Sequence, residues 1–311
     1  MRKFLLRRLI FTLVSVVGAT LIVFVLSRMA GDPMVLYADP EGYGMDAEQI
    51  AAIRSSLRLD EPLIIQYVYW FAGLARGDLG RSIVANRPVS QMLWERAGAT
   101  AQLAIAAWLV ATVVGIPLGV LSAVKRGTAW DYIGRTFALF GQATPTFWIG
   151  IMGILIFSVY LGWLPSALRG DGFRINHFIL PTLTVSTAAM AGYLRITRSS
   201  MLEVLDSEFV KLARAKGVSR VKVIWKHTFR NALIQPITVS AILFANFITG
   251  ITVAEVVFAW PGLGSLMLTA VWNNDFPVLT GTVLVFVVIY MALNFVADML
   301  YVVVDPRIRY S

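Results

Sequence analysis

Six apolar stretches of membrane-crossing length divide the sequence and limit its fold more than any other feature. The first, Leu9 to Leu26, contains 18 residues without a charged side chain. A transmembrane helix needs about 20 apolar residues. The remaining stretches lie at about 101–124, 136–161, 179–197, 236–258 and 281–304. Because 58% of the residues are hydrophobic and only 14% are charged, the pattern predicts an all-α integral membrane protein with six transmembrane helices.

The basic residues before the first stretch are also typical of a secretory signal peptide. However, the apolar run is longer than the roughly 7 to 15 residues of a signal core, and no A-x-A-like cleavage site closes it before Arg28. We therefore interpret 1–28 as a cytoplasmic amino terminus followed by an uncleaved first span.

The distribution of Lys and Arg predicts that both termini lie in the cytoplasm. Nine basic and three acidic residues occur between Arg195 and Arg230, whereas the connection from Ala259 to Thr280 contains neither Lys nor Arg. Connections rich in Lys and Arg stay on the cytoplasmic side. The net charge of +9 therefore reports topology. It does not predict nucleic acid as a partner, because the basic residues flank apolar stretches instead of alternating with aromatic residues on a polar face.

This topology predicts a division of the chain into a first span, an outer lobe, a membrane core with one large cytoplasmic loop, and a short tail. The corresponding residues are 1–28, 29–98, 99–304 with the loop at 198–235, and 305–311. The small extracytoplasmic lobe has six basic and nine acidic residues and no cysteine. In the lobe we expect a helix from Asp46 to Leu57, a second helix opened by Asp60-Glu61-Pro62, and a loop at Arg76 to Ser82.

Enzymatic chemistry has no visible site in this sequence. There is no glycine-rich phosphate loop, no HExxH motif and no Gly-x-Ser-x-Gly motif. The two histidines, His177 and His227, are predicted on opposite sides of the membrane, so they cannot share a metal ion. We expect a non-catalytic chain that holds neither a cofactor nor a metal.

Polar and proline residues inside the predicted spans leave several readings open. Glu255 and Asp298 are either solvated at the span ends or bind protons, in which case the chain is a proton-coupled secondary transporter. Gly115-Ile-Pro117 and Ala143-Thr-Pro145 either line a transport path or are packing kinks. We therefore leave the residues of a substrate path unassigned.

The segment from Asp206 to Gly217 predicts a short amphipathic helix on the cytoplasmic side. Asp206 or Ser207 suits the start of the helix, and Gly217 suits the left-handed residue that ends one. By periodicity alone, the helix either docks a partner or lies on lipid headgroups. Its apolar stripe at helical spacing consists of Leu205, Phe209, Leu212 and Ala213.

Two motifs in this loop, Ala213-Arg-Ala-Lys-Gly217 and Lys226-His-Thr-Phe-Arg-Asn-Ala-Leu233, resemble the permease subunits of ATP-binding-cassette (ABC) importers, most closely the peptide and nickel branch. Lys211 stands where the general motif has glutamate, and Arg230 where it often has proline. Other matches to this branch extend almost end to end: Gly31-Asp-Pro33, Leu57-Arg-Leu-Asp-Glu-Pro62, Gly77-Asp-Leu-Gly-Arg-Ser82, Trp260-Pro-Gly-Leu-Gly264 and Asp305-Pro-Arg-Ile-Arg-Tyr310.

The resemblance implies a type I importer permease fold in the bacterial plasma (inner) membrane. It also implies a path for short peptides, with glutathione, nickel chelates or another small solute as alternatives. The implied partners are a homologous second permease, two ABC ATPases that bind ATP and Mg, an extracytoplasmic binding protein and membrane lipid. The ATPase-docking residues are expected to be Glu208, Phe209, Lys211, Leu212, Ala213, Arg214, Ala215, Lys216 and Gly217.

Overall fold

The computed structural model describes residues 2–29, 58, 60–169 and 174–304, and these residues are mostly helical. Within these ranges no β-strand forms, and a single bridge joins Arg81 to Pro88. The all-α prediction is therefore confirmed for the described chain. The helices are α1 Arg2–Met29, α2 Leu63–Ala75, α3 Val89–Val124, α4 Ala129–Ala143, α5 Thr146–Gly153, α6 Ile175–Leu205, α7 Glu208–Ala215, α8 Arg220–Lys222, α9 Arg230–Ala232, α10 Ile234–Val257, α11 Leu263–Trp272 and α12 Phe276–Val304.

Two π-helical segments continue these helices: Ile154–Tyr160 follows α5, and Val223–Phe229 joins α8 to α9. Among the described residues, three helical stretches are long and apolar enough to cross a membrane alone, namely Leu6–Leu26, Val89–Val124 and Phe276–Val296. α4 and the α5 segment meet the same criteria as a bent pair. The count of six spans stays a prediction. The helix predicted from Asp46 to Leu57 lies outside the described residues.

The third predicted span, 136–161, is divided into two helices. α4 and the α5 segment differ in direction by 107°. Thr144 between them adopts extended dihedral angles, φ −89° and ψ 128°. A residue before proline is pushed out of the helical region, so Pro145 explains why the chain turns here. Pro117, in contrast, stays inside α3.

The described chain separates into two compact units. The first combines Met1–Gly98 with Gly262–Met291. In it, the buried Asp275 carboxylate accepts hydrogen bonds from Ser82 Oγ and, at 3.3 Å, from the Ile83 backbone N–H. The core of this unit consists of the buried side chains Val89, Leu93, Leu263, Leu266, Ala270 and Val278.

The second unit combines Ala99–Pro261 with Ala292–Ser311. In it, α3 and α6 pack closely through glycine: a Cβ at Gly119 would lie 2.6 Å from Thr197 Cβ. Trp260 is fully buried, and its Nε1 donates to the Ala99 carbonyl at 3.0 Å. These contacts make the first half of α3 and the residues at the end of α10 one tightly packed region.

Glu255 is fully buried in this unit and accepts a hydrogen bond from Thr100 Oγ1 at 2.6 Å. The expectation that Glu255 is solvated at a span end is therefore wrong. Hydropathy places a residue along a span but does not show which neighbours cover it. The side chain of Asp298 lies outside the described residues.

Candidate docking site

The helix predicted in the 198–235 segment forms, and Ser207, one of the two residues expected at its start, occupies the position just before its first turn. α6 extends to Leu205, Asp206 caps that helix, and α7 starts at Glu208. Ser207 lies just before α7, but its Oγ donates back to the Val204 carbonyl at 2.6 Å and does not cap α7. Leu205 therefore belongs to α6, so its assignment to the apolar stripe of α7 is wrong.

α7 has one apolar side chain turned inward and two turned outward. Val210 is fully buried, whereas Phe209 is 47% exposed and Leu212 is 57% exposed. The inward contact holds the helix against its own chain, and the outward pair leaves apolar surface uncovered. Sequence analysis missed Val210, since it lies one residue out of phase with the predicted stripe. Its signal was weak: it is a lone apolar residue between Phe209 and Lys211.

The end of α7 has the conformation predicted for it. Gly217 has φ +76°. The N–H of Gly217 donates to the Arg214 carbonyl at 3.0 Å, and the N–H of Val218 donates to the Ala213 carbonyl at 3.2 Å. This pair of hydrogen bonds is the Schellman arrangement. No atom lies within 4 Å of a Cβ built at Gly217, so glycine is required by the backbone and not by lack of space.

The predicted docking residues are mostly exposed. Lys211 Nζ lies 2.8 Å from Glu208 Oε1, and the hydrogen bond and charge of Glu208 raise the pKa of Lys211. Ala213 is half-buried. The remaining predicted residues of α7 and its end are exposed: Arg214, Ala215, Lys216 and Gly217.

A buried ion pair supports the region from which α7 extends. Asp131, in the first turn of α4, is 1% exposed. Its Oδ1 accepts from Arg198 Nε at 2.7 Å and from Ser122 Oγ at 2.8 Å, and its Oδ2 accepts from the Gly127 N–H at 3.0 Å. The carboxylate thus joins α3, α4 and α6. No sequence pattern identified this pair, because its members are 67 residues apart.

The second arm of the loop, formed by α8, the π-helical segment and α9, packs on the ends of α3 and α6. Ala232 is buried with Val120, Ala123 and Met201. Val223 in the π-helical segment is also buried, whereas Trp225 is 54% exposed. The arm is thus anchored on one side and leaves aromatic surface on the other.

Family models match almost the whole chain. The "Binding-protein-dependent transport system inner membrane component" model matches residues 115–310, and the corresponding N-terminal model matches residues 1–104. The oligopeptide transport system permease protein AppB of Bacillus subtilis is 38% identical over 320 residues, covering 100% of both chains. The dipeptide transport system permease protein DppB of Escherichia coli K12 is 37% identical over 340 residues, again covering 100% of both.

A putative peptide transport system permease protein of Brucella abortus is 40% identical over 304 residues and covers 96% of each chain. Among solved structures, the fold resembles that of the inward-facing MetNI methionine ABC transporter, with a TM-score of 0.58, 16% identity, and coverage of 69% of this chain and 97% of that one. These matches place the chain among the permeases of ATP-driven importers, so the alternative of a proton-coupled secondary transporter is wrong. The chain belongs to the inner membrane components of binding-protein-dependent transport systems, and is a non-catalytic permease subunit of an ABC importer whose ATP hydrolysis takes place in separate subunits.

Proposed function

We propose that the chain forms one half of a translocation path for short peptides, and that α7 docks one of two ABC ATPase subunits. The names of the relatives support peptide cargo: proteins named as oligopeptide and dipeptide permeases match over their full length. A homologous second permease supplies the other half of the path, and an extracytoplasmic binding protein delivers the cargo. ATP and Mg bind to the ATPases. Glutathione, a nickel chelate or another small solute is the alternative cargo.

The observation that carries the docking proposal is the division of α7 into a buried anchor and an exposed apolar pair. Val210 holds the helix to its own chain, and Phe209 and Leu212 stand open. A few well-packed side chains, often aromatic ones, supply most of the binding energy of a protein interface. A short rigid helix with a small apolar face transmits the motion of a bound partner without a large interface.

The proposed topology completes this arrangement. Six spans cross the bacterial inner membrane, residues 29–98 form an extracytoplasmic lobe, and residues 99–304 form the permease core in contact with lipid. The 198–235 loop, the 305–311 tail and both termini are cytoplasmic. The absence of cysteine makes single cysteine substitutions unambiguous reporters of this topology.

The docking test places one cysteine at Ala213 and measures crosslinking to co-expressed ATPase subunits in inside-out vesicles. We expect a crosslink whose yield changes when nucleotide is added. A cysteine at Val84, which is 62% exposed and predicted on the opposite side, is the matched control and should remain unlabelled by an impermeant reagent. Free modification at position 213 with no crosslink to any ATPase would contradict the proposal.

Cargo is tested separately with the complete importer in proteoliposomes. We expect dipeptides and oligopeptides to stimulate ATP hydrolysis in the presence of the binding protein, and to compete with one another for uptake. Stimulation by glutathione or a nickel chelate with no response to peptides would replace the peptide assignment and leave the docking proposal unchanged.

A further inference from the structure

A recess of about 380 Å³ opens on the flank of α7, where the two arms of the 198–235 loop face each other. Aliphatic residues outnumber polar ones in its lining, among them Val218, Val223 and Ile224. Two exposed arginines complete it: Arg214 from α7 and Arg220 from α8. The recess therefore combines an apolar floor with two guanidinium groups from different helices.

The two guanidinium groups have no acidic partner in the described part of the chain. No carboxylate oxygen there lies within 4.0 Å of Arg214 or Arg220, by the distance that defines an ion pair. The nearest acids along the sequence already have partners, since Glu208 pairs with Lys211 at 2.8 Å and Asp206 with Arg126 at 3.7 Å. From residue 209 to residue 254 the sequence contains no Asp or Glu. The recess is thus a cationic site that its own loop does not neutralise.

We infer that this recess receives a carboxylate side chain, with an adjacent apolar side chain, from the ATPase subunit. The inference rests on the proposed docking of α7. A guanidinium fork binds a carboxylate by paired hydrogen bonds, and arginine is less strongly hydrated than lysine, which favours it in interfaces. The aliphatic floor takes the apolar neighbour. Arg214 lies on α7 itself but, at about 100° per residue, on the side of Val210 and away from Phe209 and Leu212. The carboxylate must therefore come from a segment of the ATPase that extends beyond the exposed apolar face.

A contact in the recess has a mechanical consequence that a contact on the exposed face of α7 does not have. An occupant of the recess contacts α7 and α8 together, and the second arm packs on the ends of α3 and α6. Movement of the ATPase then displaces both arms as one body. A partner on the exposed face alone moves α7 directly, and moves the second arm only through the packing of α7 against its own chain.

The test compares two single-cysteine variants, Val218→Cys in the recess and Ala213→Cys on α7, in inside-out vesicles with and without bound ATPase. We expect the ATPase to slow maleimide modification at both positions. In the Val218→Cys chain, the double substitution Arg214→Glu and Arg220→Glu should remove this protection. It should also weaken ATPase retention about tenfold, as expected when close interfacial charge pairs are lost.

Lys222→Glu with Lys226→Glu is the matched control, because both are exposed cations that do not line the recess, and the pair changes the net charge by the same amount. We expect this control to change retention less than the double arginine substitution does. Arg214→Gln with Arg220→Gln removes the charges without reversing them and covers the case in which the glutamates impair insertion. Equal losses in the double lysine and double arginine variants would mean that general charge attracts the ATPase, and would overturn the recess assignment.

The outcomes separate this inference from the docking proposal. Protection at Ala213→Cys without protection at Val218→Cys overturns the recess and leaves docking intact, whereas protection at neither position overturns both. Protection of Val218→Cys before ATPase is added identifies a small anion or lipid as the occupant and overturns the inference. A charge swap tests the carboxylate itself: in the chain with Arg214→Glu and Arg220→Glu, surface acids of the ATPase are changed to arginine one at a time. One of these changes should restore retention. If none does, the occupant of the recess is not a carboxylate of the ATPase.

Discussion

Two regions of the second unit use charged side chains in opposite ways. At the Asp131 site a buried carboxylate receives hydrogen bonds from Arg198, Ser122 and the backbone of Gly127. At α7, the cations Arg214 and Lys216 are exposed, and no ion pair joins Arg214 to the described chain. The first region is electrostatically complete within the chain, and the second is not. The contrast is between a buried ion pair that stabilises the chain and an exposed cationic surface that we propose a partner completes.

The largest effect is expected from breaking the buried pair. Arg198→Ala removes the guanidinium that bonds the buried Asp131 carboxylate and leaves Arg135 Nε, 3.7 Å from Oδ1, as its remaining cation. Breaking a buried ion pair typically costs about 3–5 kcal/mol. The free energy of unfolding should fall by that amount, measured by thermal melting in detergent. Arg126→Ala is the control, because Arg126 pairs with Asp206 at 3.7 Å on the surface, and exposed pairs contribute at most about 1 kcal/mol. Equal losses in the two variants would show that the Asp131 site is not the base of this region.

Val210 and Phe209 provide a comparison within α7. Val210→Ala removes fully buried methyl groups and should lower stability by about 1–3 kcal/mol, the usual range for core substitutions. Phe209→Ala removes an exposed ring and should change the melting temperature little while reducing retention of the ATPase. Melting and retention are measured on the same preparations. A stable Val210→Ala protein together with a destabilised Phe209→Ala protein would mean that Phe209 is the buried anchor and Val210 the exposed residue, the reverse of their assigned roles.

Gly217→Val tests the end of α7 through its backbone. A β-branched residue at φ +76° should cost about 1–2 kcal/mol and tilt α7, so we expect insertion to persist while coupled transport is lost. Gly77→Val is matched, since Gly77 has φ +80° and also has no atom within 4 Å of its Cβ. That variant should carry the same strain but transport normally per inserted molecule. Wild-type transport by Gly217→Val would contradict the docking proposal.

The features that sequence predicted well are those with a local physical cause. The left-handed Gly217 and the amphipathic α7 follow from the conformational freedom of one residue and from helical periodicity over eight. Asp131 with Arg198, and Thr100 with Glu255, are pairs 67 and 155 residues apart. No periodicity links such positions. A kink at Ala143-Thr-Pro145 was one of the readings that the sequence left open, but its angle of 107° was not predictable, because the apolar run continues through it and hydropathy measures composition but not direction.

The smallest effect on stability is expected at Glu208, whose exposed ion pair contrasts with the buried pair of Asp131. Glu208→Gln removes the partner of Lys211, but both side chains are well exposed, at 90% and 57%. Water screens such a pair, so the melting temperature should stay unchanged within error. The Glu208 carboxylate raises the pKa of Lys211, so any stabilisation from the pair is present at neutral pH and is lost only as pH rises through that raised pKa. Titration of the Lys211 amine by NMR should show its pKa fall towards the usual value in Glu208→Gln. Glu208→Gln is not expected to reduce ATPase retention. If it reduced retention as strongly as the Arg214 and Arg220 variants do, Glu208 would belong to the interface, and the interface would not depend on cations of the loop alone.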